Sequence, residues 1–310
     1  MNIVFMGTPP FAAEILHHLL THDHQVSLVV TQPDKPVGRK QTLMPSAVKT
    51  LALQKGLPLF QPASLKKNHE PVLAVKPDLI VTAAYGQMLP DTLIDPITAI
   101  NVHGSLLPAY RGGAPIQHAL FDGLEETGIT IMHMASRMDS GDIIRQARVP
   151  ILPDDDVASL SHRLSVVGAR LLHVVIHDLA QGIDIRKPQN EADATYAYTI
   201  KPDDERLDFE QPTQVLINRL RGLSPEPGGF AFIRGQRIKI YGLEKHDIIE
   251  HDAAPGTVID IRKQLLVKTR DGVVAITRLQ IPGRRIMDTH DFLNGQTLFR
   301  TGDMLTKEGA

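Results

Sequence analysis

The chain contains no cysteine, which excludes disulfides, thiolate metal ligands and a cysteine nucleophile, and fits a reducing compartment. It also has no tryptophan, and aromatic residues amount to only 5%. Nowhere does an apolar run reach the roughly 18 residues needed to cross a bilayer, so no membrane span is expected. A basic-then-apolar leader is missing too: Asn2-Ile3-Val4-Phe5-Met6 reads as a strand and not as a secretory signal. These absences together make the cytoplasm the expected location. Charge of one sign is likewise scarce, and a formal net charge of -2 argues against a wholesale nucleic-acid coat. The part from Arg206 onward is slightly basic and the part before it acidic, which is compatible with an RNA partner but decides little.

What is present is an ordinary globular composition, with 42% hydrophobic and 22% charged residues. At 310 residues, two domains are the default expectation. Residues 2–6, 25–31, 79–85 and 99–103 are Val- and Ile-rich runs separated by helix-like stretches such as 10–21 and 45–56. Strands alternating with helices imply parallel βαβ units. Strand-like runs at 129–134 and 143–151 and a long helix near 156–180 close this first half, which reads as a doubly wound, Rossmann-like α/β domain over residues 1–190. A polar stretch places a linker at 191–205. Beyond it, closely spaced strand-like runs with turn signals such as Asp271-Gly272 predict a small OB-like β-barrel over 206–310.

The densest cluster of special residues is N-V-H-G-S-L-L-P-A-Y-R-G-G-A-P-I-Q at 101–117, where two polar groups end an apolar strand. Side chains alternate along a strand, so Asn101 and His103 face the same way with Cα atoms about 7 Å apart. The carboxyl ends of strands are also where open α/β sheets place ligands. An isolated Asn-x-His more often bonds only turn backbone, so the pattern alone is weak. A second loop, Met138-Asp139-Ser140-Gly141-Asp142, supplies a carboxylate able to orient or charge-balance the imidazole.

Several motifs in order resemble the methionyl-tRNA formyltransferase family: M-G-T-P-P-F-A at 6–12, T-Q-P-D-K-P-V-G-R-K at 31–40, S-L-L-P at 105–108, R-G-G-A-P-I-Q at 111–117, P-G-G-F at 227–230 and G-Q-R-I-K-I at 235–240. The resemblance covers essentially the whole chain. It implies a catalytic trio of Asn101, His103 and Asp139. It also implies a folate pocket lined by Tyr85, Gly86, Gln87, Met88 and Leu89 on one side and Ser105, Leu106, Leu107 and Pro108 on the other. The basic loop at 32–43, with Arg39 and Lys40, would approach the tRNA. By this resemblance, residues 1–190 bind folate and carry the chemistry, and the barrel binds tRNA. The co-substrate would be 10-formyltetrahydrofolate and the acceptor initiator methionyl-tRNA, with no metal, no covalent enzyme intermediate and a monomeric enzyme.

Formyl transfer between two nitrogens passes through a tetrahedral intermediate whose oxygen gains negative charge. The Asn101 amide and a protonated His103 suit that oxygen as donors, and Asp139 suits the proton leaving the attacking amine, taken up through a water. Other sites are weaker. G-x-G-x-x-G is absent after the first strand, so a nicotinamide cofactor is not expected. His173 and His177 stand at i and i+4 but lack a third ligand, which makes them packing or surface residues. Two rivals remain: a folate formyltransferase acting on an amino sugar nucleotide, and a non-catalytic RNA-binding protein using the barrel alone. The 31–40 loop disfavours the first, and the trio disfavours the second.

Overall fold

Apolar, β-branched runs bounded by polar loops build the central sheet of the first half. The computed structural model describes residues 1–22, 24–37, 41–247, 252–295 and 298–309. The chain opens with β1 (Asn2–Gly7), α1 (Pro10–Leu19), β2 (Gln25–Val30) and a hairpin of β3 (Lys35–Val37) and β4 (Thr42–Met44). Next come α2 (Ala47–Gln54), β5 (Leu59–Phe60), α3 (Glu70–Ala74), β6 (Leu79–Ala83), α4 (Asp91–Ile94) and β7 (Thr98–His103). Then follow α5 (Pro115–Phe121), β8 (Glu126–His133), β9 (Ile143–Pro150) and α6 (Val157–Ala180).

The described residues form two compact units. Unit 1 comprises Met1–Pro115, Glu126–Pro150 and Leu160–Tyr198; unit 2 comprises Ile116–Glu125, Ile151–Ser159 and the chain from Thr199. In unit 1 the sheet order is β5-β2-β1-β6-β7-β8-β9, with the first five strands parallel, β8 antiparallel to β7 and β9 antiparallel to β8. This is the doubly wound arrangement with an antiparallel edge. All residues of β6 and nearly all of β1 are buried, as strands covered on both faces require. Helix α1 starts at Pro10, whose fixed φ suits the first helical position, and buries Phe11, Ile15 and Leu19 at helical spacing. Ser46 caps α2 by accepting from the Lys49 N–H at 3.0 Å. Along α6, Leu160, Leu164, Gly168, Leu172 and Val175 or Ile176 form the buried stripe. Gly168 lets the helix approach the sheet: a Cβ there would meet Val102 at 3.1 Å and Ile129 at 3.5 Å.

Unit 2 carries α7 (Thr213–Arg221), β10 (Gly229–Ile233), β11 (Gln236–His246), β12 (Val258–Asp260), β13 (Leu265–Lys268), β14 (Val273–Gln280), β15 (Met287–Asp288), α8 (Thr289–Leu293) and β16 (Leu305–Thr306). The strands pair antiparallel in the order β12-β13-β14-β11-β10-β16, and β15 joins β14. A bridge between Thr257 and Met304, with the Val258 N–H donating to the Asp303 carbonyl at 2.8 Å, joins the two ends and curls the sheet closed. The turn between β10 and β11 holds Arg234 and Gly235 at φ 48° and 73°, the left-handed pair that a tight two-residue hairpin demands. Leu216 and Leu220 of α7 pack with Ile238, Ile240, Val267, Val274 and Ile276 in one apolar core. Sequence periodicity located β10 to β14 but not α7, whose apolar stripe is only two residues wide. Among the described residues no helix is long and apolar enough to cross a membrane.

Candidate active site

β7 runs into the site between parallel β6 and antiparallel β8, with Asn101 beside Thr82 on one side and His103 opposite Thr130 on the other. Val102 faces Gly168 of α6, so Asn101 and His103 project from the other face of the sheet. The Thr82 hydroxyl donates to Asn101 Oδ1 at 2.8 Å. With its carbonyl end held, the Asn101 amide keeps its NH2 as the end that donates outward. His103 is buried, and its Nε2 lies 2.9 Å from the carbonyl oxygen of Tyr110. A carbonyl only accepts, so Nε2 carries a hydrogen and donates it. Nδ1 then faces Asp139 Oδ2 at 3.7 Å. Contacts of this kind tighten when substrate arrives.

Asp139 lies between β8 and β9 at φ 49°, in the left-handed region. Its Oδ2 accepts from the Gly112 N–H at 2.8 Å. A side chain at Gly112, which sits at φ 128°, would collide with the Ala197 carbonyl, so the R-G-G run needs glycine there. The Gln189 amide donates to the carbonyls of Asp139 at 2.9 Å and Gly141 at 2.8 Å, fixing the loop from beneath. Gln189 Oε1 in turn accepts from Arg111 Nη2 at 2.8 Å, and Glu191 accepts from Arg111 Nη1 and Nη2 at 3.1 and 3.0 Å. Arg111 is only 2% exposed. Its hydrogen bonds to Glu191 hold the Glu191 carboxyl below its ordinary range and raise the guanidinium above its own. Of the six non-glycine residues in left-handed backbone among the described residues, Ala84, Tyr110 and Asp139 all lie in loops at this end of the sheet. Such strain persists where surrounding contacts over-determine it, as at functional sites.

The expected folate wall follows β6, at the same end of the sheet. The Tyr85 carbonyl accepts from Thr8 Oγ at 3.1 Å and Gln32 Nε2 at 3.0 Å, tying together the loops after β1, β2 and β6. Gly86 takes φ 83°, Leu89 is buried and Met88 is half exposed. Gln87 is used within the chain, accepting from the Leu65 N–H at 2.8 Å and donating to the Pro62 carbonyl at 3.2 Å. It therefore shapes the wall instead of offering a free amide. The Tyr85 hydroxyl is buried with no hydrogen-bond partner among the described residues, and burial pushes its pKa up to about 12. On the other side, the Ser105 hydroxyl donates to the Ala109 carbonyl at 2.6 Å. The Leu107 N–H donates to Thr130 Oγ at 3.1 Å, and the Leu107 carbonyl accepts from Gln146 Nε2 at 2.8 Å. Leu107 is buried, with Leu106 and Pro108 beside it in the same turn.

The trio thus comes together as the sequence predicts, and the two folate segments follow neighbouring strands. Arg39 and Lys40 lie outside the described residues. His173 is stacked on His22 with ring centroids 3.8 Å apart, and no group of three or more metal-ligating side chains forms among the described residues. Sequence reasoning missed Thr82, Arg111, Gln189 and Glu191. Only the R-G-G motif hinted at Arg111, and no local signal marked the others. Chemically, the site sets an amide donor, an imidazole and a carboxylate at one end of the sheet. Ser105 is committed to Ala109, so a transfer between two bound partners suits it better than attack by a protein nucleophile.

A family model described as "Formyl transferase" matches residues 1–176, and one described as "Formyl transferase, C-terminal domain" matches residues 199–297. A methionyl-tRNA formyltransferase of Latilactobacillus sakei subsp. sakei (strain 23K) is 47% identical over 300 residues, covering 95% of this chain and 94% of the relative. That of Macrococcus caseolyticus (strain JCSC5402) is 46% identical, covering 95% of each. Among solved structures, HypX from Aquifex aeolicus in complex with tetrahydrofolic acid superposes with a TM-score of 0.68 at 18% identity. That match covers 99% of this chain and 51% of HypX, so this chain spans about half of HypX. A methionyl-tRNA formyltransferase from Clostridium thermocellum superposes with a TM-score of 0.57 at 15% identity, covering 80% and 94% of the two chains. At these identities the superpositions speak for the fold alone.

Proposed function

Because the chain belongs to the formyl transferase family, with both its N-terminal and C-terminal parts matched, we propose that it works as a methionyl-tRNA formyltransferase. It transfers the formyl group of 10-formyltetrahydrofolate to the free amino group of methionyl-tRNA. The observation that carries this reading is the convergence of Asn101, His103 and Asp139 at the end of β7, in a chain alike along nearly its whole length to enzymes of that name.

The amino nitrogen of the methionyl group attacks the formyl carbon, and the formyl oxygen gains negative charge. The Asn101 NH2, aimed outward because Thr82 holds the other end, donates to that oxygen. A preorganised donor of this kind contributes about 2.7–4 kcal/mol to the transition state. His103, with its Nε2–H held by the Tyr110 carbonyl, supplies the second donor as the protonated ring through Nδ1–H, the nitrogen on the Asp139 side. Asp139, held by Gly112, takes up through a water the proton that the attacking amine loses. The C–N bond to folate then breaks, and the folate nitrogen takes, through the same water, the proton that Asp139 collected. The walls at 85–89 and 105–108 hold the folate, and the buried Tyr85 hydroxyl, lacking a partner among the described residues, is a donor for it.

The finer assignments follow from the same reading. The acceptor is the initiator form of methionyl-tRNA, approached by Arg39 and Lys40 in the connection between β3 and β4. Residues 1–190 carry the chemistry, 191–205 link, and the barrel over 206–310 contacts the tRNA backbone. The enzyme works as a monomer in the cytoplasm, as the family resemblance implies. The test is to incubate purified protein with 10-formyltetrahydrofolate and methionyl-tRNA and score N-formylmethionine. Formylation of an amino sugar nucleotide in place of methionyl-tRNA would overturn the reading.

A further inference from the structure

Tyr196 and Tyr198 are 50% and 66% exposed, while Ala197 between them is fully buried. Alternation therefore sets both rings on one outward face of an extended segment. The rings lie 8° from parallel with centroids 6.0 Å apart. The chain has only five tyrosines, so two of them side by side in solvent form a concentrated aromatic surface.

This segment is in register with the active-site loop. The Arg111 N–H donates to the Thr195 carbonyl at 2.8 Å and the Ala197 N–H donates to the Arg111 carbonyl at 2.7 Å. The Tyr110 N–H donates to Thr195 Oγ at 2.9 Å. Tyr110 is the residue whose carbonyl takes the His103 hydrogen, and Gly112 is the one that holds Asp139. The tyrosine pair is thus about one strand spacing, ~5 Å of backbone, from the residues that fix the catalytic groups.

We propose that Tyr196 and Tyr198 form a stacking platform for the unpaired bases at the 3′ end of the acceptor tRNA, holding the aminoacyl end over Asn101, His103 and Asp139. The inference rests on the methionyl-tRNA reading above. A charged tRNA carries its amino acid on a short single strand, and any base offers a flat face to an exposed aromatic ring. Such stacking tolerates any base sequence. The platform therefore positions the acceptor end without choosing among tRNAs, leaving selection to contacts elsewhere.

Tyr198 is the better position to test, because its ring is the more exposed of the two. In the full-length protein, Tyr198→Ala and Tyr198→Leu should each raise KM for methionyl-tRNA by about 5- to 150-fold, the range set by loss of one stacked base. The affinity for 10-formyltetrahydrofolate should not change, and Tyr198→Phe should restore KM to within about twofold of the parent. Because the chain has no tryptophan, Tyr198→Trp adds a single reporter. Its fluorescence should be quenched by intact tRNA and not by tRNA trimmed of its unpaired 3′ nucleotides. An unchanged KM in Tyr198→Ala, or equal quenching by trimmed and intact tRNA, overturns the platform. Unmodified protein that fails to formylate methionyl-tRNA overturns the enzyme reading instead, and the quenching comparison still decides the platform.

Discussion

The core of unit 2 is a continuous apolar cluster running from Leu207 through Ile276 to Leu305. Its buried Thr213 and Thr269 bond each other at 2.6 Å, and Thr213 also bonds Asp271, pinning the Asp-Gly turn. Unit 1 buries polar groups differently. Thr82, His103, Ser105, Arg111 and Thr130 are all buried, and all gather at one end of the sheet, around the ends of β6 and β7 and the loop that follows. An unpaired buried polar group costs about 1–3 kcal/mol, so such a gathering needs a dense network and a reason to exist. At this turn of unit 2 buried polarity pins a hairpin; at this end of the unit 1 sheet it gathers around the trio.

The contrast breaks most sharply at Asn101. Asn101→Ala should lower kcat about 10²- to 10³-fold with the fold intact, since it removes one transition-state donor. Steady-state kinetics with thermal unfolding as a control checks this, and near-normal turnover would remove Asn101 from the machinery. Arg111→Met keeps the bulk but leaves Gln189 Oε1 without its two donors, a loss of about 1–3 kcal/mol in unfolding free energy. Activity should fall with it, because Gln189 holds the Asp139 loop. A variant as stable and active as the parent would show that the network is ornamental.

Ile276→Val, in the apolar core of unit 2, should cost about 0.5–1.5 kcal/mol of stability and leave 10-formyltetrahydrofolate binding unaltered. Loss of folate affinity in the folded variant would contradict the division of labour. The smallest effect is expected at Tyr85→Phe, which removes a buried hydroxyl that lacks a partner among the described residues. Stability should stay level or rise by less than about 1 kcal/mol, while folate affinity falls if the ligand is that partner. The sign with pH follows from the raised pKa. The Tyr85 contribution is complete below the unfolded value of 10 and is lost as pH climbs toward about 12. Alkaline unfolding should accordingly set in later in Tyr85→Phe.

Much of this was legible in the sequence because it is local. The parallel strands announce themselves as short Val- and Ile-rich runs, and alternation alone puts Asn101 and His103 on one face. Helix α7 escaped because Leu216 and Leu220 give a narrow stripe among polar residues. The support of Asp139 escaped for a different reason. Arg111 meets Gln189 and Glu191 across 78 and 80 residues of sequence. Glu191 stands in the stretch that reads as linker and Gln189 just before it, and no spacing rule connects a buried arginine to a distant glutamine. Gln87 shows the converse: the family resemblance implied it as a wall residue, but only the structure shows its amide spent on Pro62 and Leu65.

The most direct measurement is the single-turnover rate of formyl transfer from 10-formyltetrahydrofolate to methionyl-tRNA, both saturating, in full-length His103→Ala against the unmodified chain. A fall of at least about a hundredfold, with 10-formyltetrahydrofolate still bound, is expected if the end of β7 carries the chemistry. A rate within a few-fold of the parent in a folded variant would contradict that assignment.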